Sequence, residues 1–91
     1  MSAAAEIRRT FAVADRDGLH ARPCTRVART AAKFKCDLAA EWNGRRADAR
    51  SVLDLLRLCA PHGAAIEFVA RGADAAACLD AVGAAMAAET P

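Results

Sequence analysis

Aromatic side chains and long apolar runs are both scarce in this sequence of 91 residues. It has no tyrosine, one tryptophan and three phenylalanines, although 55% of its residues are hydrophobic. We expect a single domain over residues 1–91, with its core at about 7–89. Such a small core cannot enclose a large substrate pocket, and no apolar run is long enough to cross a membrane. We therefore expect the chain to act through its surface, with partners.

The cysteines lack the spacing of a metal site. They are Cys24, Cys36, Cys59 and Cys78. Because they form no CxxC pair and no cluster with histidine, we expect no bound metal and no cofactor. Residues 1–14 contain Glu6, Arg8 and Arg9 and no continuous apolar stretch, so we expect no secretory signal. The sequence therefore predicts a cytoplasmic chain whose reduced cysteines act as small core hydrophobes.

Acidic residues are absent from the stretch 18–36, which carries basic residues at helical spacing. The basic residues form two groups, Arg22, Arg26, Arg29 and Lys33, followed by Arg45, Arg46, Arg50 and Arg57. A net charge of +2 is too weak to indicate nucleic acid. The first group is either an ordinary solvated helix face or a docking surface for acidic partners.

Hydrophobic periodicity predicts four strands and three helices. The predicted strands are 7–14, 36–42, 45–49 and 64–71; the helices are 21–33, a short one over Val52, Leu55, Leu56 and Leu58, and one over Ala75, Leu79, Val82 and Met86. The order β-α-β-β-α-β-α indicates an α+β two-layer sandwich with helices on one face of a sheet. Ferredoxin-like metal carriers share this order, but they use paired cysteines near the first loop, where Cys24 stands alone.

Two local signals mark boundaries between these elements. The dipeptide at 43–44, Asn-Gly, is a strong hairpin signal, because both residues tolerate positive φ. Ser51 is a good helix N-cap, with Asp54 at the third helical position. The segment 61–63, Pro-His-Gly, ends the short helix, and its His62 is expected to be a surface loop residue.

The most informative stretch is 18–23, which reads Gly-Leu-His-Ala-Arg-Pro. It places His20 at a predicted helix start. Neutral imidazole can attack phosphorus near neutral pH and give the phosphoryl group up again. The helix start offers unpaired N–H groups and a positive dipole end, and Arg22 adds a planar fork matched to phosphate oxygens. The stretch therefore predicts a phosphohistidine site.

Two neighbours support this geometry. Pro23 fits the first helical turn, where its missing N–H costs little. Gly18 lets the approach loop take backbone angles that other residues resist. The alternative is that His20 is only a helix cap or a surface residue, ahead of an ordinary Arg-Pro helix start.

From about residue 9 to 89 the chain closely resembles HPr, the histidine-containing phosphocarrier of the bacterial phosphoenolpyruvate-dependent phosphotransferase system. The specific matches are 18–23 and Asn-Gly at 43–44 leading into Ala-Arg-Ser-Val-Leu at 49–53. The resemblance implies a βαββαβα open-faced sandwich, with a four-stranded antiparallel sheet in order 1-4-2-3 and three helices on one face.

The resemblance also implies a function. His20 would take a phosphoryl group on Nδ1 from phospho-enzyme I and pass it to an A-type domain of an enzyme II, with Arg22 matching the active-site arginine. The chain would be a stoichiometric carrier and not itself an enzyme. It would be a monomer, and we expect no nucleic-acid partner and no insertion into a membrane.

Ser51 matches the serine that HPr kinase phosphorylates, although its role as an N-cap alone would explain it. Val52, Leu53 and Leu56 match the hydrophobic partner patch, beside the basic residues Arg26 and Arg29. Because Leu53 lies off the 52-55-56 stripe, we expect its side chain to be the most exposed of the three.

Two residues depart from the family pattern. Cys59 stands where the family usually has glycine, so we expect altered backbone freedom and a thiol near the active centre. Asp54 places a carboxylate where the docking surface is usually neutral or basic. Two other functions stay open, namely a binding-only regulatory HPr paralogue switched at Ser51 and a non-phosphorylated module for acidic partners.

Overall fold

The computed structural model describes residues 6–88. The strands are β1 Glu6–Ala12, β2 Asp37–Trp42, β3 Arg45–Asp48 and β4 Ala65–Arg71, and the helices are α1 Ala21–Ala31, α2 Val52–Leu56 and α3 Ala75–Ala87. The predicted order of elements is confirmed. The sequence placed the element boundaries less accurately, because helix ends depend on hydrogen bonds from distant residues.

The end of α1 illustrates this dependence. Helical spacing extends to Lys33, whereas the helix ends at Ala31. The guanidinium of Arg50 donates to carbonyl oxygens at and beyond this end. The acceptors are Ala31 (3.2 Å), Phe34 (3.2 Å) and Cys36 (2.9 Å). Arg50, predicted only as a member of a basic group, therefore ties the end of α1 to the segment that leads into β2.

The sheet has four strands in the order β1-β4-β2-β3, and every neighbouring pair is antiparallel. The predicted order is therefore confirmed. Strands β1 and β4 pair over their full lengths, from Glu6 opposite Arg71 to Ala12 opposite Ala65. Beyond that pair, Val13 N–H donates to Ala64 O and Gly63 N–H donates to Val13 O, both at 2.9 Å. These bonds hold the loop that follows β1 beside the loop that precedes β4.

The core lies between one face of the sheet and the helices. Alternate strand residues enter it, including Leu38, Ala40, Ile66, Phe68 and Ala70. Most residues of the predicted helical stripes are buried, namely Cys24, Val27, Ala28 and Ala31 from α1, Leu55 from α2, and Ala75, Leu79, Val82 and Met86 from α3. From the stripe predicted for α2, Val52 and Leu56 are only partly buried against the core. All three helices therefore cover one face, as predicted.

Aromatic residues contribute little to this core. Phe68 is fully buried and its ring centroid lies 5.9 Å from that of Phe11. Phe11, Phe34 and Trp42 are only partly buried. The core is therefore built mainly from aliphatic and small side chains, as the composition indicates.

The prediction that all cysteines act as core hydrophobes is only partly right. Cys24 and Cys78 are buried, Cys36 is half-buried and Cys59 is exposed, so the prediction was wrong for Cys59. Cys59 lies beyond the turn at 57–58 that follows α2, and its side chain is exposed. Among residues 6–88, no helix has the length and apolar character needed to cross a membrane.

Candidate functional site

His20 lies at the N-terminus of α1, as the sequence predicts. Its backbone is extended (φ −91°, ψ −170°), and its carbonyl accepts the N–H of Cys24 at 3.1 Å, so it occupies the N-cap position. Within residues 6–88 its ring makes no capping hydrogen bond. The imidazole, 32% exposed, is therefore available for another interaction.

That interaction is with Asp15. Its Oδ1 lies 3.0 Å from Nε2 of His20, and its side chain is only 4% exposed. Asp15 also accepts the backbone N–H of Asp17 at 3.3 Å. The sequence gives no signal for this contact, because a loop aspartate five positions before a histidine follows no helical or strand period. A buried carboxylate needs such partners, since burying a charge without them is costly.

Arg26 connects Asp15 to the last helix. Its Nη2 lies 3.8 Å from Asp15 Oδ2. At the end of α3, its Nε donates to the carbonyl oxygen of Ala85 (3.3 Å) and its Nη2 to that of Ala88 (2.8 Å). The sequence predicts Arg26 as a partner contact together with Arg29. Arg29 is exposed, whereas the Arg26 side chain is 28% exposed and held within the fold.

The loop before α1 has the conformation that Gly18 predicts. Gly18 has φ +80°, and a Cβ there would lie 2.7 Å from the carbonyl oxygen of Ala60. The N–H of Leu19 donates to that same oxygen at 2.8 Å. In the helix that follows, Arg22 is exposed and Pro23 is buried in the first turn. Gly18 thus permits the close approach that fixes the position of His20.

His62 comes from the opposite loop. Its Nδ1 lies 3.1 Å from the backbone oxygen of Asp15, and the residue is exposed, as predicted. Potential ligand atoms of Asp15, Asp17 and His20 lie within 4.8 Å of one another. The Asp15 carboxylate already bonds His20 and has Arg26 beside it, so its oxygens are engaged within this network.

Ser51 caps α2 as predicted. Its backbone is extended (φ −116°, ψ 117°) and its Oγ accepts the N–H of Asp54 at 3.2 Å. Asp54 Oδ2 in turn accepts the N–H of Asp48 at 2.8 Å. Asp54 therefore stands in the first turn of α2, at the third helical position that the sequence predicts, and its carboxylate ties the helix to the end of β3.

The helix α2 presents a small apolar surface. Leu53 is 73% exposed, whereas Val52 and Leu56 are half-buried against the core. The exposure of Leu53 agrees with its place off the buried stripe. Cys59 follows this helix with φ +54°, in the left-handed region that favours glycine. Because glycine adopts a positive φ without strain, this conformation explains why the family usually has glycine at the position of Cys59.

The fold and site define a class of protein: a small open-faced sandwich that presents one histidine at a helix N-terminus. The model of the family described as "PTS HPr component phosphorylation site" matches residues 7–88 of this chain. The chain belongs to this HPr family of the phosphotransferase system. Membership supports a phosphocarrier role within that system.

Solved structures agree with this assignment. The phosphocarrier HPr of Bacillus anthracis str. Ames is 28% identical with a TM-score of 0.83, and the match covers 89% of this chain and 96% of that one. The histidine-containing phosphocarrier protein of Mycoplasma is 26% identical with a TM-score of 0.83, covering 88% and 91%. Crh, the Bacillus subtilis catabolite repression HPr, is 26% identical with a TM-score of 0.67, covering 92% and 100%.

Proposed function

We propose that His20 accepts a phosphoryl group on Nδ1 from phospho-enzyme I and donates it to A-type domains of enzymes II. The observation that carries this proposal is the bond between His20 Nε2 and the buried Asp15 at 3.0 Å. It occupies one ring nitrogen and leaves Nδ1 as the nucleophile. The partial exposure of the ring, 32%, supports access by both a donor and an acceptor.

The surroundings of His20 suit a phosphoryl group in transit. The N-terminus of α1 provides N–H groups and a positive dipole end. Arg22 is exposed in the first turn, within reach of solvent and partners. Both groups favour the phosphorylated form without enclosing it, so the phosphoryl group remains open to attack. This is what a stoichiometric carrier needs, and it requires no substrate pocket of its own.

The partner surface combines apolar and basic residues. Leu53, 73% exposed, forms its apolar centre, with Val52 and Leu56 beside it. Arg29 supplies an exposed positive charge on α1. Acidic partner domains would be steered to such a surface by charge and held by the leucine.

We infer that the chain works as a cytoplasmic monomer.

A second candidate function is a binding-only regulator switched by phosphorylation of Ser51, for which HPr kinase is the expected enzyme. The match to Crh, a catabolite repression HPr, supports this second function. The N-cap position of Ser51 would place a phosphate at the start of α2, beside Leu53. Such regulators characteristically lack the active histidine, so His20 with Arg22 favours the carrier.

The deciding experiment mixes the purified protein with phosphoenolpyruvate and a bacterial enzyme I, then measures intact mass. We expect one acid-labile phosphate on the wild type and on His62→Ala, and none on His20→Ala. His62→Ala is the matched control because it removes the other histidine near Asp15. A folded wild-type protein that takes no phosphate from an active enzyme I would favour the binding-only regulator.

A further inference from the structure

We propose that Asp15 is a positioning residue that keeps the ring proton of His20 on Nε2 throughout phosphoryl transfer, and that Arg26 holds Asp15 in place. This inference rests on the proposed function and adds two residues to it. Neither residue belongs to the stretch 18–23 that identifies the site. Both act through His20, since neither lies on the nitrogen that would receive the phosphoryl group.

The proton assignment follows from the chemistry of the two groups. An ionised carboxylate accepts hydrogen bonds and cannot donate them. The contact of 3.0 Å between Asp15 Oδ1 and His20 Nε2 therefore requires the proton on Nε2. In the neutral ring this leaves the lone pair on Nδ1. Because the Asp15 side chain is only 4% exposed, water competes little for the bond, which strengthens it.

Arg26 makes this arrangement rigid. It lies 3.8 Å from the second carboxylate oxygen of Asp15 and is itself anchored by two carbonyl oxygens, Ala85 and Ala88. The backbone N–H of Asp17 holds the first oxygen at 3.3 Å. Both carboxylate oxygens thus have partners besides His20. The positive charge of Arg26 also favours the ionised carboxylate on which the proton assignment depends.

The proton matters because of how the phosphorus–nitrogen bond forms and breaks. During loading, the Nδ1 lone pair attacks phosphorus, the new N–P bond forms, and the bond to the donor's leaving atom breaks with its electron pair going to the donor. The ring keeps its Nε2 proton and becomes cationic. The adjacent carboxylate of Asp15 stabilises this positive charge.

Discharge reverses these steps. The acceptor attacks phosphorus, the Nδ1–P bond breaks, and its electron pair returns to Nδ1. With the proton held on Nε2, the ring leaves as neutral imidazole. Without that proton it would leave as imidazolate, a far poorer leaving group. Asp15 therefore extends the pH range over which the phosphoryl group can be handed on.

Other charged or titratable groups around the site set the background for this effect. They are Asp17 in the loop after β1, Arg22 and Arg26 on α1, and His62 in the loop before β4. Asp17 supplies the matched control. A carboxylate oxygen of Asp17 is within 4.8 Å of a His20 ring nitrogen, but the bond to Nε2 comes from Asp15. Replacing either aspartate by asparagine removes one negative charge from the surroundings of the ring.

The first test needs no variant. Long-range ¹H–¹⁵N NMR of the unphosphorylated wild type, above the pH at which the ring loses its extra proton, reports which nitrogen of His20 is protonated. We expect the proton on Nε2, with slowed exchange against water. A proton on Nδ1 would overturn the proposal. This result is independent of phosphorylation, so it stands apart from any failure of the proposed function.

The second test follows phosphorylated His20 by the same NMR measurement across pH in wild type, Asp15→Asn and Asp17→Asn. We expect Nε2 to lose its proton about one pH unit lower in Asp15→Asn, with transfer to an A-type domain about tenfold slower at alkaline pH. Asp17→Asn should shift the titration by clearly less. Equal shifts in the two variants, or none in Asp15→Asn, would leave the carrier function intact and refute the role of Asp15.

Discussion

The carbonyl oxygen of Ala60 accepts the N–H of Leu19 at 2.8 Å and lies 2.7 Å from the position that a Cβ on Gly18 would take. The loop that carries the histidine is therefore fastened to the loop before β4 by a contact that only glycine permits. Because β1 and β4 pair next to these loops, the sheet itself holds the contact in place. His20 starts its helix from this fixed point.

Gly18→Ala is expected to destabilise the protein by about 3 kcal/mol, since the new methyl group adds a clash with backbone to the strain of a positive φ. Gly63→Ala is the control: its φ of +84° matches the +80° of Gly18, but its Cβ would meet no described atom within 4 Å. We expect a loss of about 1 kcal/mol there. Urea denaturation measures both, and equal losses would show that the Ala60 contact is unimportant.

Ser51→Ala is expected to lower the free energy of unfolding by about 1 kcal/mol, because it removes the oxygen that accepts the Asp54 N–H at 3.2 Å. Ser51→Asn should retain most of the stability, since asparagine is an equally good N-cap. Chemical denaturation of the three proteins checks the prediction. If alanine proved as stable as serine, the cap would contribute little to this short helix.

Leu53→Ser is expected to leave stability within about 0.5 kcal/mol of the wild type, because the side chain is 73% exposed. It should nevertheless weaken phosphoryl transfer to an A-type domain by raising the KM for that partner. Leu55→Ala in the same helix should instead cost about 2–5 kcal/mol, since Leu55 is fully buried. Partner titrations and urea denaturation separate the two effects. An unchanged KM in Leu53→Ser would place the docking surface elsewhere.

Stability should fall as pH rises from about 9 to about 11. Burial raises the pKa of Cys24 from 9.0 to about 11, and burial, followed by a hydrogen bond with the Cys36 thiol, raises that of Cys78 to about 12. Above pH 9 the unfolded chain releases protons that the native chain retains, so unfolding becomes easier. The expected slope is about 1.4 kcal/mol per pH unit for each buried thiol.

Denaturation curves at several alkaline pH values test this dependence. Because the sequence has no tyrosine, no phenol titrates in the same pH range as the thiols. Cys24→Ala should reduce the slope by the contribution of one buried thiol, about 1.4 kcal/mol per pH unit. Cys59→Ser should leave it unchanged, because Cys59 is exposed. A slope that is the same in all three proteins would show that other groups cause the alkaline loss.

Local patterns in the sequence were enough to predict most of the fold. The alternation in β4, the apolar spacing in α1 and the Asn-Gly turn each depend on residues close in the chain, as does the cap at Ser51. The site residues His20, Gly18 and Pro23 were predicted for the same reason, since a helix start has local chemistry. The exposure of Leu53 likewise follows from its place on a single helix.

By itself, then, the sequence determined the element order, the histidine at its helix start and the family motif. Only the tertiary structure decided that Asp15 is buried against that histidine and that Arg26 reaches across to α3. These contacts join residues that no local period relates. They exist because pairing of β1 with β4, and packing of α1 against α3, bring distant segments together, and a buried carboxylate is stable only where such partners surround it.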